Sequence, residues 1–99
     1  MSLLVRYTLK SKDHRKTQND AMIAMVDGLR AEGIAGFHYS CFSTGDPLQF
    51  LGIMEFPDDE TKQQFLTSGT FESYRAALGP ILEGPPETSE ITSIATTRD

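Results

Sequence analysis

Residues 37–56, FHYSCFSTGDPLQFLGIMEF, decide how this chain folds. Two runs rich in aromatic and other apolar residues flank TGDP (44–47), whose glycine, aspartate and proline are strong turn formers. The stretch predicts a β-hairpin. Pairing Ser43 with Leu48 sets Cys41 against Phe50, Tyr39 against Gly52 and Phe37 against Met54. One face then collects Phe37, Tyr39, Cys41, Leu48, Phe50, Met54 and Phe56, an almost wholly apolar set that belongs under helices. The other face receives His38, Ser40, Phe42, Gln49, Leu51, Ile53 and Glu55. A slip of one residue would exchange the faces of one strand. The second face carries too much Phe, Leu and Ile for water. An exposed apolar patch of that kind marks an interface, so a symmetric homodimer closing over the open sheet face is expected.

Upstream, Leu3, Val5, Tyr7 and Leu9 alternate with Leu4, Arg6, Thr8 and Lys10, the period of a half-buried strand. Thr17 and Asp20 resemble a capping box. Met22, Ile23, Val26 and Leu29 form the expected inward stripe of a helix, and Gly33 is placed to end it. Asp20 near its start and Arg30 near its end suit the helix dipole. Downstream, PDDETKQQFLTS (57–68) opens a helix on Pro57 and acidic residues. A second short helix from Phe71 to Leu78 is separated from it at Ser68–Gly69 and closed by Gly79–Pro80. The β-branched run TSEITSIATT (88–97) supplies a last strand. The order is β-α-β-β-α-β, an α+β, ferredoxin-like antiparallel sheet, in one domain spanning residues 1–99.

Ninety-nine residues leave room for one modest core. The formal net charge of −5 argues against nucleic acid or an anionic membrane surface as partner. Cys41 is the single cysteine, which precludes an intrachain disulfide and suits a reducing compartment. The N-terminal run SLLVRYTLK lacks the features of a secretory leader, and no apolar run approaches the roughly 20 residues that cross a bilayer. A cytoplasmic location is expected.

Candidate functional side chains are few. His38 titrates near neutrality and is the candidate base or orienting group; its place on the mixed face allows it to belong to the dimer interface instead. Tyr39 and Tyr74 are candidate hydrogen-bond donors to a phenolic oxygen. Tyr39 also has the plainer role of covering a strand glycine, and Tyr74 that of a satisfied core tyrosine. Phe50, Phe65 and Phe71 are candidates for the apolar wall of a substrate pocket, with Arg75 beside it. Cys41 and His38 fall on opposite faces and cannot pair, and a buried lone thiol is ordinarily inert. No cluster has metal-ligand spacing. The basic loop SKDHRK (11–16) reads as solvated. There is no phosphate loop and no serine-hydrolase elbow.

From LLVRYTLK (3–10) to ITSIA (91–95), and most tellingly over residues 51–91, LGIMEFPDDETKQQFLTSGTFESYRAALGPILEGPPETSEI, the chain resembles the antibiotic biosynthesis monooxygenase-like family of the dimeric α+β barrel superfamily. The shared layout is a strand ending in an acidic–aromatic pair (Glu55, Phe56), an acidic helix start, a leucine–any–serine–proline–histidine–phenylalanine-like segment and a closing strand. In LTSGTF (66–71), Gly69 stands where the family commonly has proline and Thr70 where it has histidine. Phe65 stands where many relatives carry another histidine. The haem-degrading branch uses an asparagine, a tryptophan and a ligating histidine; this chain has no tryptophan and has Thr70 instead, so haem degradation is disfavoured.

The resemblance implies a cofactor-independent monooxygenase acting on a small aromatic or polyketide-like molecule, with neither metal nor flavin. His38 would then be the base or orienting group, and Tyr39 and Tyr74 the hydrogen-bond donors. The alternative is a non-catalytic ligand-binding or stress-related dimeric α+β barrel protein, toward which the missing tryptophan and histidines weigh. RNA-recognition modules share the element order, but LQFLGIMEF (48–56) lacks their basic–glycine–aromatic motif.

Overall fold

A computed structural model describes residues 2–98. In chain order its elements are β1 (Ser2–Thr8), a 3-10 turn (Lys12–His14), α1 (Arg15–Glu32), β2 (His38–Ser43), β3 (Gln49–Glu55), α2 (Asp59–Leu66), α3 (Gly69–Leu78) and β4 (Glu87–Ile91). The strands form one sheet in the order β2-β3-β1-β4, with every pair antiparallel. The helices cover one face. This is the ferredoxin-like α+β arrangement.

The hairpin forms with a different register from the expected one. Ser43 stands opposite Phe50 rather than Leu48, Cys41 opposite Gly52 and Tyr39 opposite Met54. The turn is longer because Asp46 organises it: its carboxylate accepts from the Leu48 N–H at 2.9 Å, and its carbonyl accepts from the Gln49 N–H at 3.1 Å. The Leu48 carbonyl is meanwhile taken by the Leu9 N–H at 2.8 Å. The displacement is an even number of residues, so every side chain keeps its face.

α1 begins earlier than its sequence signals indicate. The Ser11 hydroxyl accepts from the Asp13 N–H at 3.1 Å, and the resulting 3-10 turn feeds directly into the helix. Thr17 therefore lies inside α1 and forms no capping box, while Asp20 pairs with Lys16 at 2.7 Å. The buried stripe is Gln18, Met22, Met25 and Leu29, spaced by four, three and four residues. Ile23 lies off that line and is 53 % exposed, so it leaves the expected core. Gly33 ends the helix in the left-handed conformation (φ 63°), donating its N–H to the Leu29 and Arg30 carbonyls.

The break in the second helical region is a pair of caps. The Asp58 carboxylate accepts from the Thr61 N–H at 2.8 Å, and the Ser68 hydroxyl accepts from the Phe71 N–H at 3.0 Å. Phe65, buried almost completely, stacks on Phe37 at 5.0 Å between ring centroids and meets Phe71 at 4.5 Å. β4 is shorter than expected. Ile91 already faces Ser2 at the start of β1, so the ladder has run out of partner. Beyond it the chain leaves the sheet, and Arg98 pairs with Glu55 at 3.3 Å. On the open face Phe42 is 47 % exposed.

α1 and α3 cross closely at Gly28, where a Cβ would stand 2.6 Å from Thr70 Cγ2. Gly28→Ala should therefore destabilise the protein by about 1–2 kcal/mol in urea unfolding, despite the helix-propensity gain of roughly 1 kcal/mol. In a Thr70→Ala background the same substitution should raise stability. Equal effects in the two backgrounds would refute the crossing contact.

Candidate functional site

The helix-side face of the sheet brings together every tyrosine of the chain, Tyr7, Tyr39 and Tyr74. Strand alternation directs Tyr7 of β1 and Tyr39 of β2 to this face, and α3 lowers Tyr74 onto it. Tyr39 reaches its partners because β3 carries glycine between them: a Cβ on Gly52 would stand 3.1 Å from the Tyr39 hydroxyl. The covering is diagonal, since Tyr39 itself pairs with Met54. Tyr7 and Tyr74 meet edge to face at 5.9 Å and 89°. Gln18 completes the group from α1. Its side chain is 0 % exposed, and its amide N–H donates to the Tyr74 hydroxyl at 3.2 Å. The Gln18 carbonyl oxygen and the Tyr39 hydroxyl are buried without a well-formed hydrogen bond among the described residues. The Tyr39 hydroxyl nonetheless lies within interaction range of Tyr7 and Tyr74.

Burial raises the pKa of all three phenols, and the electrostatic influence of Tyr7 raises Tyr39 and Tyr74 further. They stay protonated throughout the physiological range. The cluster is therefore a neutral hydrogen-bonding surface, not a source of base. Burial also pushes the Cys41 thiol up, as befits an inert cysteine.

Tyr7 and Tyr74 also line a cavity of about 470 Å³ between β1, β4 and the pair α2–α3. Its apolar wall comes from Leu3, Val5, Met54, Phe65, Phe71 and Leu78, and the segment Gly84–Pro86 closes one side. Arg75 is exposed and stands at the mouth, its guanidinium 5.6 Å from the Phe71 ring centroid. No carboxylate or imidazole belongs to the lining. Such a cavity can hold a flat apolar molecule and offer hydroxyls to one of its oxygens.

The expected site residues separate into three groups. Tyr74, Phe65, Phe71 and Arg75 line the cavity. Tyr39 joins the hydroxyl cluster without reaching the lining. Phe50 and His38 lie elsewhere. Phe50 is buried beneath the Arg15 guanidinium, 5.4 Å from its ring centroid, and is a core residue. His38 precedes Tyr39 by one position and so projects from the opposite face, exposed and paired across the ladder with Glu55. Within one chain the sheet stands between it and the cavity. Gln18, Tyr7 and Gly84–Pro86 were not foreseen. A polar residue four positions before Met22, in line with the apolar stripe of α1, was the available signal for Gln18. Among the described residues no group of three or more His, Cys, Asp or Glu could hold a metal ion, and no helix is long and apolar enough to cross a membrane.

No family model matches the sequence, and no curated protein matches it. Solved structures do match over nearly the whole chain. The Rv0793 protein of Mycobacterium tuberculosis is 18 % identical, with a TM-score of 0.81, over 98 % of this chain and 97 % of that one. A protein described as an antibiotic biosynthesis monooxygenase is 14 % identical, with a TM-score of 0.81, over 95 % and 98 % of the two chains. SnoaB of Streptomyces nogalater, described as a cofactor-independent oxygenase, is 13 % identical, with a TM-score of 0.76, over 99 % and 96 %. The chain has the antibiotic biosynthesis monooxygenase-like fold.

The raised phenol pKa values fix a pH dependence. The unfolded chain releases tyrosine protons near pH 10, before the folded chain does, so the contribution of the cluster is intact below about pH 9 and is lost as the pH rises beyond 10. An alkaline titration should show phenolate absorbance appearing together with loss of near-ultraviolet dichroism. A phenolate signal near pH 10 with the fold intact would refute the buried cluster.

Proposed function

We propose that this protein binds a small aromatic or polyketide-like molecule in the cavity and oxygenates it without metal or flavin. The single observation behind this reading is the apolar cavity that meets the neutral tyrosine cluster at Tyr7 and Tyr74. The fold shared with SnoaB supports it. An activated phenol or enol needs little from a protein. Once its oxygen is deprotonated it transfers an electron to O2, and superoxide couples with the substrate radical at carbon to give a peroxide. That peroxide takes up protons and loses water, which breaks the O–O bond and leaves one oxygen atom on the carbon as a carbonyl. The protein need only bind, desolvate and orient it.

Each residue then has a defined task. Phe65 and Phe71 sandwich the rings against Leu3, Val5 and Met54. Tyr74, with its hydroxyl oxygen held by Gln18, and Tyr7 donate to the developing oxyanion. Because no carboxylate or imidazole lines the cavity, the substrate proton leaves to water at the mouth. His38 belongs in this account to the open sheet face, beside Phe42, Leu51 and Ile53. Two copies of the chain pair through that face. A mass measurement at micromolar concentration should find twice the monomer mass, and a monomer would refute the pairing.

The raised tyrosine pKa values favour a second reading, in which the cavity binds its ligand without chemistry. Oxygen uptake with anthrones, quinols and flavonoids separates the two. Uptake above the protein-free rate should fall about three- to tenfold in Tyr74→Phe, which loses one hydrogen bond, and should be unchanged in His38→Ala. Tight binding with no uptake would leave the binding function alone.

A further inference from the structure

We infer that the ligand of the cavity is a flat apolar anion whose carboxylate, or an equivalent planar oxyanion, is held by Arg75 at the mouth. The inference rests on the reading of the cavity as a ligand site and adds the charge of what enters it. Arg75 is the sole charged side chain in the lining; the remaining polar side chains there, Tyr7, Tyr74 and Thr88, are uncharged hydroxyls. Among the described residues Arg75 makes no ion pair, although the chain carries fourteen acidic residues against nine basic ones. Glu72, three positions earlier on α3, does not close one with it. A shortage of carboxylates is therefore not the reason for the free guanidinium.

Its placement is also specific. Phe71 supports the guanidinium at 5.6 Å and lines the cavity itself, so cation and aromatic wall form one continuous surface. A guanidinium placed against a ring keeps its in-plane N–H groups available, and that fork matches a carboxylate in two-point contact. A ligand whose rings lie along Phe71 and Phe65 would bring a peripheral carboxylate to that fork, while its inner oxygens meet the neutral phenols. A cationic ligand would meet only repulsion at the mouth. A neutral ligand would leave the guanidinium unused.

The test compares anthraquinone-2-carboxylate with anthraquinone-2-carboxamide, alike in shape and different in charge, by isothermal titration calorimetry at low salt. The wild-type protein should bind the carboxylate about tenfold more tightly than the carboxamide. Arg75→Gln should bring the two together, and Arg75→Lys should restore only part of the difference because it lacks the planar fork. Circular dichroism verifies the fold of each variant. Equal affinities in the wild-type protein, or a preference that survives Arg75→Gln, would overturn the anion inference while leaving the cavity as a binding site. Failure of both probes to bind would overturn the cavity reading and this inference together.

Discussion

The hydrogen bond from the Gln18 amide to the Tyr74 hydroxyl, 3.2 Å long and fully buried, ties α1 to α3 above the sheet. Its net worth is only about 1 kcal/mol, but breaking it would leave a buried polar group unpaired at a cost of roughly 1–3 kcal/mol. That asymmetry fixes how the two helices lie. α3 then places Tyr74 against Tyr7, and the cavity opens beside the pair. The close crossing at Gly28 and Thr70 acts in the same sense, since small residues there let α3 approach α1. Gly52 completes the arrangement by letting Tyr39 cross β3 and bring a third hydroxyl to the same point.

This organisation explains the electrostatic character of the site. Three largely buried phenols share one space, and none can ionise without charging a buried neighbourhood. Protonated phenols are poor bases and good donors. Any chemistry in the cavity must therefore begin with a substrate acidic enough to lose its proton to water, or with an oxygen that is already anionic. A protein so built contributes orientation and desolvation, and it resembles a binding protein until a substrate of the right reactivity arrives.

Much of the fold was legible because strand alternation depends on parity alone. Residues 37–56 sorted correctly onto two faces even though the hairpin register is displaced, because the displacement is even. The turn length was not legible: it follows from Asp46 capping two backbone N–H groups, a local detail that the dipeptide chemistry of TGDP does not specify. The start of α1 was hidden for a similar reason, Ser11 having begun a 3-10 turn upstream of the apparent cap. The aromatic residues of α2 and α3 identified one wall of the cavity. The polar side stayed hidden because Gln18 and Tyr7 read as ordinary members of an amphipathic helix and strand. His38 drew notice for its chemistry, but the parity of β2 sends it away from the cavity.

The most direct test of the cavity follows its side chains during ligand binding. With tyrosine, phenylalanine and histidine rings selectively labelled, nuclear magnetic resonance spectra are recorded while a phenolic anthrone is added without oxygen. The Tyr7, Tyr74 and Phe71 rings should shift together in a saturable manner, whereas Phe42 and His38 on the open face should not. Saturable shifts at Phe42 and His38 with unchanged Tyr7 and Tyr74 would contradict this, and would place the ligand on the face assigned here to the second copy of the chain.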